Sequence, residues 1–461
     1  MSNYKKPSRF DFDLIVIGSG GGGGVAAHLA ANEGKKVGLI EAHRLGGDAP
    51  LAGSIPTEAL LKAAKTVETI QFAHQFGIRA TGVNLNYRSI QAWKDKAIAA
   101  TGVYNESSTF KHEGITIFKG RAHFLGPWEV SLGLKHLKAR KFLIATGSLP
   151  FMPDIHGLDQ TGFITYKQAS SLIKLPKSIF IIGGGHKAYE YSQIFSAFGV
   201  RVHVAEIHDH LLPSEDPEAG DSAEAALAKR GIRVHTGAKV IQVSGNTSRK
   251  IVTFEQQGQQ HHVVVEEIMV AAGKQPNIDL GLENIGIRYN EAGISVNRSM
   301  QTRQKHIYAA GGVLGIDYST HTAIQQGRVA IHNMYHRKKI AMSYHAIPRC
   351  YSGHPEIACV GISEWQARLT GEIYQTSIAP IGILGRAITS NYSQGIVKII
   401  ANQNGVILGA SIVAPHASEM LPELTFAIQH HQNACAVANT VHAFPTWGEA
   451  IRIAAGKIRC T

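Results

Sequence analysis

The sequence predicts an α/β fold: two βαβ units of Rossmann type, far apart in the chain, with an α+β domain after them. Three observations carry this. A glycine-rich turn stands between an apolar strand and a helix at Gly18–Gly24, and the same grammar returns at Gly183–Ala188. From Tyr344 onward, strands of alternating pattern are followed by helical stretches.

In the first unit Asp13–Gly18 reads as a buried strand, Val25–Glu33 as a helix and Lys36–Glu41 as a second strand. Gly18, Gly20 and Gly23 give the G-x-G-x-x-G spacing between strand and helix. The first glycine permits the tight turn, the second lets the backbone approach a pyrophosphate, and the third lets helix and strand pack closely. The amides of the helix N-terminus then face the phosphates. Glu41 closes the second strand, where a carboxylate accepts from ribose hydroxyls.

The second unit repeats strand, helix and strand at Ser178–Gly183, Tyr189–Phe198 and Arg201–Glu206. Gly183 and Gly185 hold the first two places of the motif, Ala188 the third, and Glu206 closes the unit. A carboxylate there repels a 2′-phosphate, and no arginine follows in Ile207–Leu211, so NAD(H) is favoured over NADP(H). The competing reading of this unit is a Rossmann fold that packs but binds nothing.

Between the units the pattern predicts a long helix from Pro56 to about Gln75 and a β-rich run ending in the strand Lys141–Thr146. After Gly273–Pro276 and Gly311–Gly312 a separate α+β domain begins near Pro348, with strands at Gly395–Ile400 and Gly405–Val413.

At 461 residues the chain has room for about three domains, and its 44% hydrophobic and 17% charged composition is that of a globular protein. No apolar run is long enough to span a bilayer and no secretory leader pattern opens the chain, so a cytoplasmic protein is expected. The net charge of +12 comes from scattered basic residues without a recognition module. It is read as a surface that attracts anionic cofactors rather than nucleic acid. Cys350, Cys359, Cys435 and Cys460 form no C-x-x-C pair and no metal-ligand spacing, so no metal and a reducing compartment are expected.

Further segments carry a resemblance. Ala145-Thr146-Gly147-Ser148, Gly273-Lys274-Gln275-Pro276-Asn277 and Ile307-Tyr308-Ala309 are similar to segments of the class I pyridine nucleotide-disulfide oxidoreductases, which include dihydrolipoamide dehydrogenase, glutathione reductase, mercuric reductase and soluble transhydrogenase. Gly353-His354-Pro355-Glu356, Val360-Gly361, Arg386-Ala387 and Leu408-Gly409-Ala410 resemble that family's C-terminal dimer domain. The resemblance implies FAD on the first unit, a nicotinamide nucleotide on the second, and a homodimer whose C-terminal domain completes the partner's active site. It implies domains at 1–149 (FAD, completed by 277–343), 150–276 (NAD) and 344–461 (dimerisation). Gly47, Ala145, Thr146, Gly147 and Gly273 then join the two glycine motifs as cofactor-binding residues.

Four departures from the family bear on function. Where the resemblance implies two redox cysteines, the stretch after Gly46-Gly47 has Ala49 and Ser54. A methyl or hydroxyl group cannot replace a thiolate in disulfide exchange. Where it implies a catalytic histidine before Pro445, the chain has Phe444; Glu449 remains with nothing to orient, and His442 is two residues away. Glu58 replaces a lysine that in the family pairs with the glutamate corresponding to Glu190 beside the flavin. Lys187, one helical step from Glu190, either restores the pair among Glu58, Glu190 and Lys187 or is a solvated lysine. Gly312 replaces an aspartate that bonds the FAD ribitol chain. Cys460, near the C-terminus, has no evident partner thiol.

The expected function is a flavin-only NAD(P)H oxidoreductase of diaphorase, quinone reductase or transhydrogenase type, delivering electrons to a small-molecule acceptor. The alternative is a non-catalytic FAD-binding dimeric scaffold descended from a dihydrolipoamide dehydrogenase.

Overall fold

A computed structural model describes residues 6–460 and divides them into two compact units. The first comprises residues 6–56, Ala92–Phe151 and Gly273–Ser343; the second comprises Thr57–Gln91, Met152–Ala272 and 344–460. Residues 57–91 therefore group with the second unit.

In the first unit the apolar strand Phe12–Ile17 lies between Val37–Glu41 and Lys135–Ile144, parallel to both. Thr116–Lys119 extends the sheet beyond Val37–Glu41, and Ile307–Ala309 joins Lys135–Ile144 in parallel. Leu14, Ile15 and Val16 are wholly buried, as both-sided cover by helices requires of a central parallel strand. The helix after the first strand is Gly21–Asn32, so it begins inside the glycine run, four residues before the sequence places it. Low helix propensity is overridden by packing: a β-carbon on Gly23 would lie 1.9 Å from the Gly18 carbonyl oxygen.

The second unit contains a parallel five-stranded sheet ordered Arg233–His235, Arg201–Ala205, Ser178–Ile182, Glu267–Val270 and Ile164–Thr165. The helix His186–Ala197 follows its central strand, and a three-stranded antiparallel meander spans Ala238–Val265. The C-terminal part is an antiparallel five-stranded sheet, ordered Arg349–Tyr351, Glu356–Gly361, Ile407–Ala414, Ile396–Asn402 and Tyr374–Pro380. Leu421, Leu424 and Ile428 of the helix Ala417–Gln429 pack on its apolar face with Ile399 and Ile412. The long helix expected from Pro56 runs from Ser54 to Phe72 and tightens into a 3₁₀ turn at Ala73–Phe76.

Cys435 and Cys460 form a disulfide, which corrects the expectation that Cys460 lacks a partner. Their separation of 25 residues left no short-range signal in the sequence, and the pairing removes the thiol count as an argument for a reducing compartment. Cys350 and Cys359 are free. Among the described residues no helix is long and apolar enough to cross a membrane, and no His, Cys, Asp and Glu cluster could hold a metal ion.

Candidate functional site

At the first glycine turn the strand Phe12–Ile17 ends in Gly18 at φ +99°, where a β-carbon would lie 2.2 Å from the Ala145 carbonyl oxygen. Only glycine fits there. Gly47, at φ +72°, approaches so closely that its β-carbon would sit 2.5 Å from the Gly20 Cα. Gly20 itself caps the helix without a side-chain hydrogen bond, and the nearest atom to a β-carbon there is 3.8 Å away. Amides at a helix start with no side-chain cap, approached at Gly20 only by the Gly47 backbone, are the surroundings a pyrophosphate needs. Glu41 stands at the end of the next strand, and its carboxylate already accepts from the Ser19 amide (2.9 Å), the Ser19 hydroxyl (2.6 Å) and the His43 amide (2.8 Å).

Ala145, Thr146 and Gly147 form the crossing at the end of the strand Lys135–Ile144. Thr146 Oγ1 donates to the Asn277 carbonyl at 2.7 Å, and the Asn277 amide returns a bond to the Gly147 carbonyl at 3.0 Å. Gly147, at φ +72°, has no atom within 4 Å of where a β-carbon would stand. Gly273, at φ +111°, is equally open, and its carbonyl accepts from the Phe151 amide. Gly312 starts a 3₁₀ turn, Gly312–Leu314, in this same unit. Ala49 lies in the short helix Asp48–Leu51, and Ser54 opens the long helix.

The second turn repeats this geometry. Gly183, at φ +106°, faces the Ala271 carbonyl, which would be 2.6 Å from a β-carbon. Gly185 caps the helix His186–Ala197 with open space beside it, and Ala188 is fully buried where the third glycine of the motif would stand. Glu206 is buried; its Oε2 accepts from the Gly184 amide at 2.6 Å, and its Oε1 accepts from the His208 amide at 2.9 Å and meets His208 Nδ1 at 2.6 Å.

On the same helix, Lys187 Nζ donates to Glu190 Oε2 at 2.7 Å and to Thr57 Oγ1 at 3.3 Å, and its charge lies 5.9 Å from the Tyr166 ring centroid. Only 11% of the Lys187 side chain and 7% of that of Glu190 are exposed, so Lys187 is not a solvated lysine. Glu58 is not part of the pair: its carboxylate accepts from the Ser352 hydroxyl, which corrects the three-way contact expected among Lys187, Glu58 and Glu190. Successive residues of a helix, such as Thr57 and Glu58, point about 100° apart, so only one of them reaches Lys187. Ser352 and Thr57 carried no signal in the sequence.

Near the C-terminus Phe444 is exposed, with its ring edge 3.5 Å from where a β-carbon of Gly385 would stand. Glu449, expected to orient nothing, accepts from the Thr446 amide at 3.3 Å. His442 Nε2 meets Glu423 at 3.1 Å.

Residues 12–327 match the pyridine nucleotide-disulphide oxidoreductase family, and residues 347–455 match that family's dimerisation domain. The chain belongs to this family. It is 34% identical over 464 residues to a dihydrolipoyl dehydrogenase of Bacillus subtilis, covering 96% of this chain and 97% of the relative. It is 31% identical over 453 residues to a mercuric reductase of Streptomyces lividans, covering 96% and 95%. Among solved structures, LpdA from Mycobacterium tuberculosis superposes with a TM-score of 0.86 at 25% identity, covering 96% of this chain and 99% of that one. As a family member the chain is an FAD-dependent oxidoreductase of the lipoamide dehydrogenase type, with a dimerisation domain that makes it a homodimer. The glycine cradle at Gly18, Gly20 and Gly47 fits FAD: a β-carbon at Gly18 or Gly47 would collide with backbone, and the helix amides are bare.

Proposed function

We propose that this flavoenzyme works through flavin alone, as a diaphorase, quinone reductase or transhydrogenase, and does not turn over dithiols or disulfides. The observation that carries this is the stretch Gly46–Glu58. The two positions at which the resemblance implies thiols are Ala49 and Ser54, and the first cysteine in the sequence is Cys350. Bound FAD and a nicotinamide nucleotide supply the hydride and electron-transfer chemistry.

The chain's own residues bind and orient. Gly18, Gly20, Gly23 and Gly47, with Glu41 and the Ala145-Thr146-Gly147 crossing, hold FAD in the proposed domain 1–149 completed by 277–343. Gly183, Gly185 and Glu206 hold NAD(H), favoured over NADP(H), in the proposed domain 150–276, and residues 344–461 form the dimer domain. Lys187 serves as the cation of Glu190, the duty that the resemblance gives to a lysine at position 58. Glu58, tied to Ser352, is relieved of it. Phe444 leaves no general base for a dithiol, and an acceptor reduced directly by flavin needs none.

An anaerobic titration with NADH, followed by absorbance, tests the reading. The yellow flavin band should bleach, and a quinone or dye should then be reduced catalytically while lipoamide is not. Bound flavin that NADH cannot bleach would favour the non-catalytic scaffold, and brisk lipoamide turnover would overturn the flavin-only mechanism.

A further inference from the structure

We propose that the end of the first unit at which its parallel strands begin docks on an anionic phospholipid surface, with Leu134 as the inserting tip and the surrounding lysines on the headgroups. Such docking is independent of what the flavin reduces.

Strands Glu129–Leu132 and Lys135–Ile144 form a hairpin whose turn is Gly133-Leu134. Ala139 is the partner of Phe12, so Lys135–Lys138 run beyond the start of the strand Phe12–Ile17, away from the glycine cradle at its other end. Leu134 crowns that projection and is wholly exposed.

Basic residues that look scattered in the sequence converge on the same end. Lys35 and Lys36 lead into the strand Val37–Glu41, and Lys35 and Lys141 place their ammonium groups 5.0 and 4.5 Å from the centre of the Tyr335 ring. Tyr335 ends the helix Thr320–Tyr335, which brings the exposed run His336–Lys339 alongside. Lys36 and Arg140 lie over the rings of Phe12 and Phe10, at 5.3 and 5.2 Å. Of the nearby acids, Asp11 and Asp13 accept from the backbone amides of Lys138 and Lys36, Asp13 also pairs with Arg140, and Glu33 faces His336. Lys36, Lys135, Arg337 and Lys338 are exposed and have no ion-pair partner among the described residues.

Two features together choose the partner. Unpaired cations suit any polyanion, and a lone exposed leucine is ordinary. A leucine projecting from among free lysines suits a lipid interface, where phosphate headgroups take the cations and the acyl border takes the apolar tip. The lysine stems can lie along that border while their ammonium groups stay in water.

Full-length protein is mixed with large vesicles of phosphatidylcholine, either pure or with about one-third phosphatidylglycerol, and the share that sediments with lipid is measured. The parent should partition onto the anionic vesicles at least about tenfold more strongly than onto the neutral ones, and raised salt should abolish the difference. Lys36→Glu, Lys135→Glu and Lys338→Glu together should weaken partition about a hundredfold, and Leu134→Ser about three- to tenfold. Circular dichroism verifies the fold of each variant. Equal partition of the parent onto both vesicles would overturn the inference. So would undiminished partition of the triple variant and Leu134→Ser, or an equal loss when Lys229→Glu, Lys239→Glu and Arg249→Glu reverse exposed charges of the second unit instead. Parent protein that ignores vesicles but is retained by duplex DNA or polyglutamate at the same salt would assign this end to another polyanion and sink the lipid reading.

Discussion

Lys187 and Glu190 lie three residues apart on one helix and meet at 2.7 Å with almost no side-chain exposure. Removing the cation leaves a buried carboxylate without its ion-pair partner. Lys187→Met should therefore destabilise the protein by about 3–5 kcal/mol, whereas Lys187→Met with Glu190→Gln should recover most of that loss. Urea unfolding of the parent, both single variants and the double variant measures the coupling; strict additivity would show that the pair does not act as one.

A second expectation concerns acid. His203 Nδ1 lies 3.2 Å from His235 Nε2, and the two rings stack on Phe180. Burial first, then the charges of His235, Arg233 and Arg201, pull the His203 pKa down to about 4. Burial, followed by Lys65 and Arg230, does the same to His354. A folded-state value below the ordinary 6.5 means stability that is present above that pH and lost as pH falls toward about 4. The loss should be about 1–2 kcal/mol per histidine, the full shift being discounted for partial burial. Urea midpoints between pH 7 and pH 4.5 should fall for the parent and fall less steeply for His203→Phe.

The ammonium of Lys398 is buried among Asp216 (3.4 Å), Glu218 (2.8 Å) and Glu364 (2.7 Å). One cation serves three carboxylates, so Lys398→Met should cost about 3–5 kcal/mol. The hydrogen bond from Lys398, with help from Arg368, holds Glu364 down to about 2. Its share of the stability is thus present above the ordinary carboxylate range and lost as pH falls toward about 2. Thermal unfolding of Lys398→Met should accordingly show a weaker pH dependence between pH 5 and pH 2.5.

Restoring thiols tests the chemistry directly. Ala49→Cys with Ser54→Cys should leave dihydrolipoamide oxidation low until Phe444→His is added, because loss of a general base costs about a hundred- to ten-thousandfold. Dye reduction should be indifferent to all three changes. Steady-state assays with both acceptors on the parent, the double-cysteine protein and the triple variant distinguish the outcomes, and full lipoamide activity in the double-cysteine protein would refute a role for the missing base.

The two βαβ units were legible because strand, glycine spacing and closing acid are local, and the first glycine of each turn answers to a steric demand that only glycine meets. Gly18 and Gly183 stand against carbonyl oxygens in the structure, as their places in the motif require. What escaped the reading was pairing over long separations. Cys435 with Cys460, Ser352 with Glu58, and Lys398 with three acids have no periodicity and no spacing rule, since only the fold brings them together. The helix start at Gly21 was missed for a different reason: local propensity argues for a turn there, and close packing decides against it.

Glu41 reads from the sequence as a partner for ribose and Glu206 as a barrier to a 2′-phosphate, yet each spends an oxygen on the amide directly after the first glycine of its own turn: Ser19 in one unit and Gly184 in the other. Each carboxylate is thus a latch that shuts the turn whether or not a nucleotide is near. Exchanging Glu206 for a basic residue to recruit a 2′-phosphate would release the latch along with the repulsion, so in this scaffold nucleotide choice and loop integrity are not separate design variables.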